Sequence, residues 1–275
     1  MIPKVIYQTW KTKDLTGKMA ENVQLIKDMN PDYEHVLYDD TDCRQFILQN
    51  FGENYANAFD ALINGAFKAD LWRYCMLYVH GGVYMDIDLT PLVPLSKLVS
   101  EQDQFVSVVD IDWNGHVGIY QAFLACIPKH PVIASSIDIT FANIVTRRET
   151  FMDSVLILTG PAVVGRAMNL FWNRKDPNQK IVPGRYPGGI VLYRNDKNYI
   201  VDTDGKQLIK NKFAGYKGES YALPIHFKDD NRAGRKKLYL LLIASVLVLL
   251  ILSMLCALFF GKKWRDCQSS CSRGE

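Results

Sequence analysis

Apolar positions along the chain fall into short β-rich runs and helically spaced stripes, in alternation. Pro3–Thr9 is apolar and β-rich and predicts a buried strand. Met19, Val23 and Ile26 follow helical spacing within Thr16–Met29, and Asn30-Pro31 ends that helix. Tyr33–Tyr38 predicts a second strand, and Asp39-Asp40-Thr41-Asp42 supplies a cap for a helix around Cys43–Asn50. Residues 54–64 and 66–79 predict two more helices. Beyond Pro91 and Pro94 come a strand at Phe105–Val109, a segment around Val117–Ala125, and helices around Val132–Val145 and Ala162–Trp172. Late strands are expected near Ile190–Tyr193 and Ala222–Phe227. This alternation predicts an α/β domain with a central sheet.

The pattern breaks once. Residues 238–260 form an uncharged apolar run of 23 residues. At about 1.5 Å per residue a helix of this length spans roughly 35 Å, enough to cross a bilayer with some tilt. The reading is a soluble domain over residues 1–231, one membrane span at 238–260 and a short polar tail at 261–275. The first strand begins almost at Met1, which leaves no room for a signal peptide. Orientation stays open: Arg232, Arg235, Lys236 and Lys237 flank one side, and Lys262, Lys263, Arg265 and Arg273 the other. The chain has no Asn-x-Ser/Thr acceptor, in keeping with a cytosolic domain. Cys43, Cys75 and Cys126 are expected as buried thiols; Cys256 lies within the apolar run, and Cys267 and Cys271 follow it. A formal net charge of +3 with no basic stripe gives no sign of a nucleic-acid partner, and none is expected.

Candidate chemistry concentrates in residues 66–89, AFKADLWRYCMLYVHGGVYMDIDL. A helical segment carries Asp70 and Arg73 three residues apart, which places them on one face. Gly81-Gly82 then turns the chain into the apolar run Val83–Met85, followed by Asp86 and Asp88. On an extended segment, alternation puts both carboxylates on one side with Ile87 on the other. Two carboxylates converging at a strand end suit one hard divalent cation, Mn²⁺ or Mg²⁺, that bridges to phosphate oxygens. This pattern points to a site for a nucleotide diphosphate.

The string resembles the signature of glycosyltransferase family 32, whose DXD-containing sugar-binding region occurs in fungal mannosyltransferases acting on N-glycans and inositol-phosphoceramide. IPKVIYQTW at 2–10, ACIPKHP at 125–131 and LTGPAVV at 158–164 resemble further segments of that family. One departure stands out: members commonly end the domain with His-Gly-Ser-Trp, whereas His226 here leads into FKDDNRAG.

The resemblance implies a GT-A-like fold and a retaining glycosyltransferase, which the apolar run and the carboxylate pair make membrane-anchored and metal-dependent. It would use a nucleotide-diphosphate sugar, GDP-mannose first and UDP-sugars next, with a lipid-linked or glycan acceptor such as inositol-phosphoceramide. Asp88 and Asp86 would contact metal and nucleotide, with Asp88 the closer ligand. Asp70 would bind donor-sugar hydroxyls and Arg73 the sugar or diphosphate. Trp10 would stack on the base or pack beneath it, and Gly82 would allow close backbone approach to the donor. His226 is a candidate third metal ligand, while Asp229 and Asp230 read as a solvated turn. Tyr84 reads as core, Thr159-Gly160-Pro161 as a turn on the acceptor side, and Asp70 with Arg73 alone as a surface ion pair. The rival readings are a non-catalytic nucleotide-sugar-binding scaffold and a nucleotide-sugar hydrolase.

Overall fold

A computed structural model gives the structure of the protein over residues 1–110, 118–146 and 157–211. Its first half alternates strand and helix: β1 (Val5–Thr9), α1 (Gly17–Met29), β2 (Glu34–Tyr38), α2 (Asp40–Phe51), α3 (Glu53–Ala61), α4 (Gly65–His80) and β3 (Gly82–Met85). After these come β4 (Thr90–Pro91), β5 (Phe105–Val109), β6 (Phe123–Cys126), α5 (Pro131–Val145), α6 (Pro161–Phe171), β7 (Gly184–Tyr186), β8 (Ile190–Asp196), β9 (Tyr199–Val201) and β10 (Gln207–Lys210). The helices begin and end where local chemistry dictates. Asp39 caps α2 by accepting from the Asp42 backbone, and the Asp42 side chain returns the bond. Pro131 and Pro161 occupy first-turn positions of α5 and α6, where a missing N–H costs nothing.

The strands form one mixed sheet in the order β2-β1-β3-β6-β5-β8-β9-β10-β4, with β7 added to β8. β1 is parallel to both β2 and β3, β5 is parallel to β8, and β6 runs antiparallel between β3 and β5. The predicted α/β domain is therefore present, with a mixed sheet. Alternation along β3 sends Val83 and Met85 to one face and Tyr84 to the other. On the Tyr84 side Ile47, Phe59, Leu71, Ile137 and Val164 build the larger core under helices α2 to α6. The opposite face carries Ile6, Val83, Met85, Val106 and Phe123 with Ile26 of α1.

The sheet curls. β3 and β4 are separated by residues 86–89 alone, yet six strand spacings part them in the sheet order. Five residue steps reach at most about 18 Å, whereas six flat spacings cover roughly 29 Å. Only a sheet bent back on itself satisfies both, and residues 86–89 lie at the closure.

Two glycines make the passage from α4 into β3. Gly81 has φ 67° and Gly82 φ 95°, conformations that side chains resist. A Cβ on Gly81 would lie 2.7 Å from the Cys126 carbonyl oxygen, and one on Gly82 would lie 2.9 Å from that of Val5. Gly82 is thus where β3 packs tightly on β1 and the Tyr7 ring. Cys43, Cys75 and Cys126 are buried free thiols, as expected. None of the described helices is long and apolar enough to cross a membrane. The expected strand at Ala222–Phe227, the span at 238–260 and His226, Asp229 and Asp230 lie outside the described residues.

Candidate active site

Helix α4 delivers Asp70 and Arg73 into the interior instead of to the surface. Asp70 is 7% exposed and Arg73 4%, so the surface ion-pair alternative does not hold. The cause lies in α4 itself: Leu71, Trp72, Tyr74, Cys75 and Met76 are also buried, and the helix is enclosed on most sides. Arg73 Nη2 stands 3.4 Å from Asp70 Oδ1 and 3.3 Å from Asp86 Oδ1. Its Nε donates to the Ala69 carbonyl at 3.2 Å, and its guanidinium carbon lies 4.2 Å from the centre of the Tyr84 ring. The sequence places Tyr84 in the core, and it is buried there. Its hydroxyl also donates to Asp86 Oδ1 at 2.6 Å, so the same residue belongs to the site.

The extended alternation expected across Asp86-Ile87-Asp88 is not what forms. β3 ends at Met85, and the chain then turns, closed by Leu89 N–H donating to the Asp86 carbonyl at 3.1 Å. The strand stops because the next stretch must bridge to β4 on the far side of the curled sheet. Both carboxylates are presented by this turn. The Asp86 side chain is 34% exposed, while Asp88 is 7% exposed. Among the described residues, the contacts of Asp86 fall on Oδ1, leaving Oδ2 for another partner.

Thr159 comes from the chain just before α6. Its hydroxyl donates to Asp70 Oδ2 at 2.7 Å. Its carbonyl accepts from the Tyr74 hydroxyl and from Gln121 Nε2, each at 2.8 Å. Asn143 of α5 fixes the approach by donating to the carbonyls of Ile157 and Leu158. The Thr-Gly-Pro turn is therefore part of the Asp70 environment.

Electrostatics follow from one guanidinium serving two carboxylates. Burial pushes the Asp70 carboxyl up to about 7 against the opposing pull of Arg73 and Thr159, and the Asp86 charge adds to the rise. Burial opposes the charge on Arg73, but Tyr84, Asp86 and Asp70 outweigh it, so its pKa is raised and it stays a cation. Burial raises the Tyr120 hydroxyl, and the charges of Asp86, Asp88 and Asp110 add to the rise.

Two residues absent from the sequence reading hold that turn. Gln8 of β1 donates from Nε2 to the carbonyls of Met85 at 3.2 Å and Asp86 at 3.4 Å. Asn22 of α1 donates from Nδ2 to the carbonyls of Ile87 at 2.9 Å and Leu89 at 2.8 Å. One signal could have found Asn22, since it lies four residues before Ile26 on the buried stripe of α1. Trp10 follows β1 directly, and its N–H donates to the Tyr38 carbonyl at 3.0 Å.

Residues 17–105 match the family model described as glycosyltransferase sugar-binding region containing DXD motif. Over these residues the chain is similar to that family's sugar-binding region. Inositol phosphoceramide mannosyltransferase 2 of Schizosaccharomyces pombe is 27% identical over 221 residues, covering 80% of this chain and 58% of the relative. Inositol phosphoceramide mannosyltransferase 3 of the same organism is 38% identical over 88 residues, 32% of this chain and 24% of the relative. The chain thus spans 24% and 58% of the length of these two relatives. Among solved structures, the PaToxG glycosyltransferase matches with a TM-score of 0.49 at 19% identity, covering 62% of this chain and 70% of that one. The matched residues contain α1, α4, β3 and the Asp86–Leu89 turn. Thr159 and Gln121 lie beyond it.

Proposed function

We propose that the chain is a metal-dependent, retaining hexosyltransferase of GT-A-like architecture, acting on a nucleotide-diphosphate sugar and favouring GDP-mannose over UDP-sugars. The observation that carries this is the buried guanidinium of Arg73 set between Asp70 and Asp86, with Thr159 completing the Asp70 side. A surface ion pair does not need such burial, and a core does not need such charge. The mannosyltransferase relatives support the choice of sugar.

The residues fit a hard divalent cation in kind. Asp86 and Asp88 offer carboxylate oxygen, and Asp86 Oδ2 lies outside the contacts to Arg73 and Tyr84. An ion at such a carboxylate pair would complete its coordination with phosphate oxygens and water. His226 is a further candidate ligand. Bound at Asp86 and Asp88, Mn²⁺ or Mg²⁺ would supply positive charge to the departing diphosphate.

Every other part falls to the chain. Arg73 holds Asp70 and Asp86 through Nη2 and Ala69 through Nε, and its fixed positive charge faces the diphosphate, where guanidinium geometry suits phosphate oxygen. Asp70, oriented by Thr159, accepts from sugar hydroxyls. Trp10 stacks on the base. The apolar run at 238–260 holds the domain at a membrane, where a lipid-linked acceptor of the inositol-phosphoceramide kind, or a glycan, is within reach.

The test is to incubate the detergent-solubilised chain with Mn²⁺ and a panel of GDP- and UDP-sugars, with and without lipid and glycan acceptors, and follow nucleotide release. Acceptor-dependent release supports the transferase. Release without acceptor indicates a hydrolase, and neither release nor donor binding indicates a scaffold.

A further inference from the structure

The Asp86–Leu89 turn is tied down from inside the domain through its peptide carbonyls. Gln8 takes those of Met85 and Asp86, and Asn22 takes those of Ile87 and Leu89. Both amides are buried, and each is committed at its other end as well. Gln8 Oε1 lies 2.7 Å from His35 Nε2. Because Gln8 already donates through Nε2, the imidazole nitrogen must be the donor in that contact. Asn22 Oδ1 accepts from the Thr90 hydroxyl at 2.8 Å. Each amide is therefore fixed in orientation by a third residue, one on β2 and one on β4.

The physical consequence is specific. The Asn22 bonds fall on the carbonyls either side of Asp88, so they fix the backbone on which that carboxylate stands. Releasing them takes from two carbonyls the side-chain donor they have among the described residues, which the turn relieves by rotating its peptides. A cation held by carboxylates tolerates little such movement, and losing a partner that orients its ligands typically costs about 10–100-fold in affinity.

We infer that Asn22 and Gln8 are positioning residues that set the affinity of the Asp86/Asp88 turn for a divalent cation. This rests on the cation reading of the proposed function. Asn22 carries the larger share, since its two bonds are shorter and flank Asp88.

The test uses the full chain in detergent with two readouts. Mn²⁺ binding is titrated by electron paramagnetic resonance in the presence of GDP or UDP, and hydrogen exchange is followed in peptides covering residues 83–92. Asn22→Ala should weaken Mn²⁺ binding about tenfold and speed exchange in those peptides. Gln8→Met should do both to a smaller degree. Ile47→Ala truncates a fully buried side chain in the core on the other face of the sheet, and serves as the control. It should lower the melting temperature and leave Mn²⁺ affinity within about twofold of wild type. If Asn22→Ala fails to fold, Thr90→Val removes only the hydroxyl that orients the Asn22 amide, and should weaken Mn²⁺ binding about threefold. Wild-type Mn²⁺ affinity and wild-type exchange in Asn22→Ala would overturn the inference and leave the cation reading standing. A wild-type chain that binds no Mn²⁺ with either nucleotide would overturn both.

Discussion

Arg73 serves two carboxylates with one charge, and Asp70, the more buried of the two, is the one whose proton is at stake. Its folded pKa, about 7, lies above the ordinary 3.8. A raised carboxylate stabilises the fold while it is protonated in the native state. That contribution is complete below about pH 4 and is lost as pH rises through about 7. The chain should therefore lose stability relative to Asp70→Asn between pH 4 and 7, by on the order of a few kcal/mol, and run parallel to it above. Denaturant midpoints of both proteins across that range check the sign. The same residues separate in kinetics. Asp70→Ala should relax discrimination between donor epimers as well as slow transfer, because unpaired polar groups are what reject the wrong sugar. Arg73→Ala faces developing negative charge and should lower turnover for every donor alike by on the order of 10²-fold. Steady-state kinetics of each variant on two nucleotide sugars distinguish these outcomes, and unchanged kinetics in both would remove the pair from the site.

Within the elements, what the sequence disclosed was local. The strand at Phe105–Val109, the stripe of α1, the Asp39 cap and the Asp70–Arg73 face all follow from periodicity and side-chain chemistry within a few residues. What it could not disclose depends on distant partners. Thr159 reads as a turn because the carboxylate it serves is 89 residues away. Tyr84 reads as core because alternation gives the direction of a side chain and says nothing of where its hydroxyl ends. Asp86 and Asp88 were legible as a pair but not as a turn, since the need to turn comes from the place of β4 in the sheet. The Gly81-Gly82 junction was legible from composition, and its second purpose is visible only against β1. Gly82→Ala combines a φ of 95° with a Cβ 2.9 Å from the Val5 carbonyl oxygen, a backbone atom of a neighbouring strand that cannot move aside. It should cost on the order of 1–3 kcal/mol, read as a lower denaturant midpoint with an unchanged slope.

For the molecule as a whole, the membrane assignment rests on residues 238–260. The full chain should remain in the pellet after alkaline carbonate extraction of membranes, and Val248→Arg, near the middle of the run, should shift a large share to the supernatant. A centrally placed arginine costs about 2.5–3.5 kcal/mol on insertion scales, so an unaltered distribution would argue against a span. The curl of the sheet carries a different consequence, for the order in which the chain is made. β4 leaves the carboxylate turn at Thr90, but its partner β10 is Gln207–Lys210, and Leu92 N–H donates to Leu208. On a ribosome adding about 5–20 residues per second, Asp70, Arg73, Asp86 and Asp88 all emerge several seconds before that partner exists. A nascent chain halted at residue 150 would hold both aspartates of the turn and the arginine behind them. It would have neither Thr159 to orient Asp70 nor β10 to pair with β4, so the surroundings of these side chains are completed late in synthesis although the side chains themselves are among the first translated.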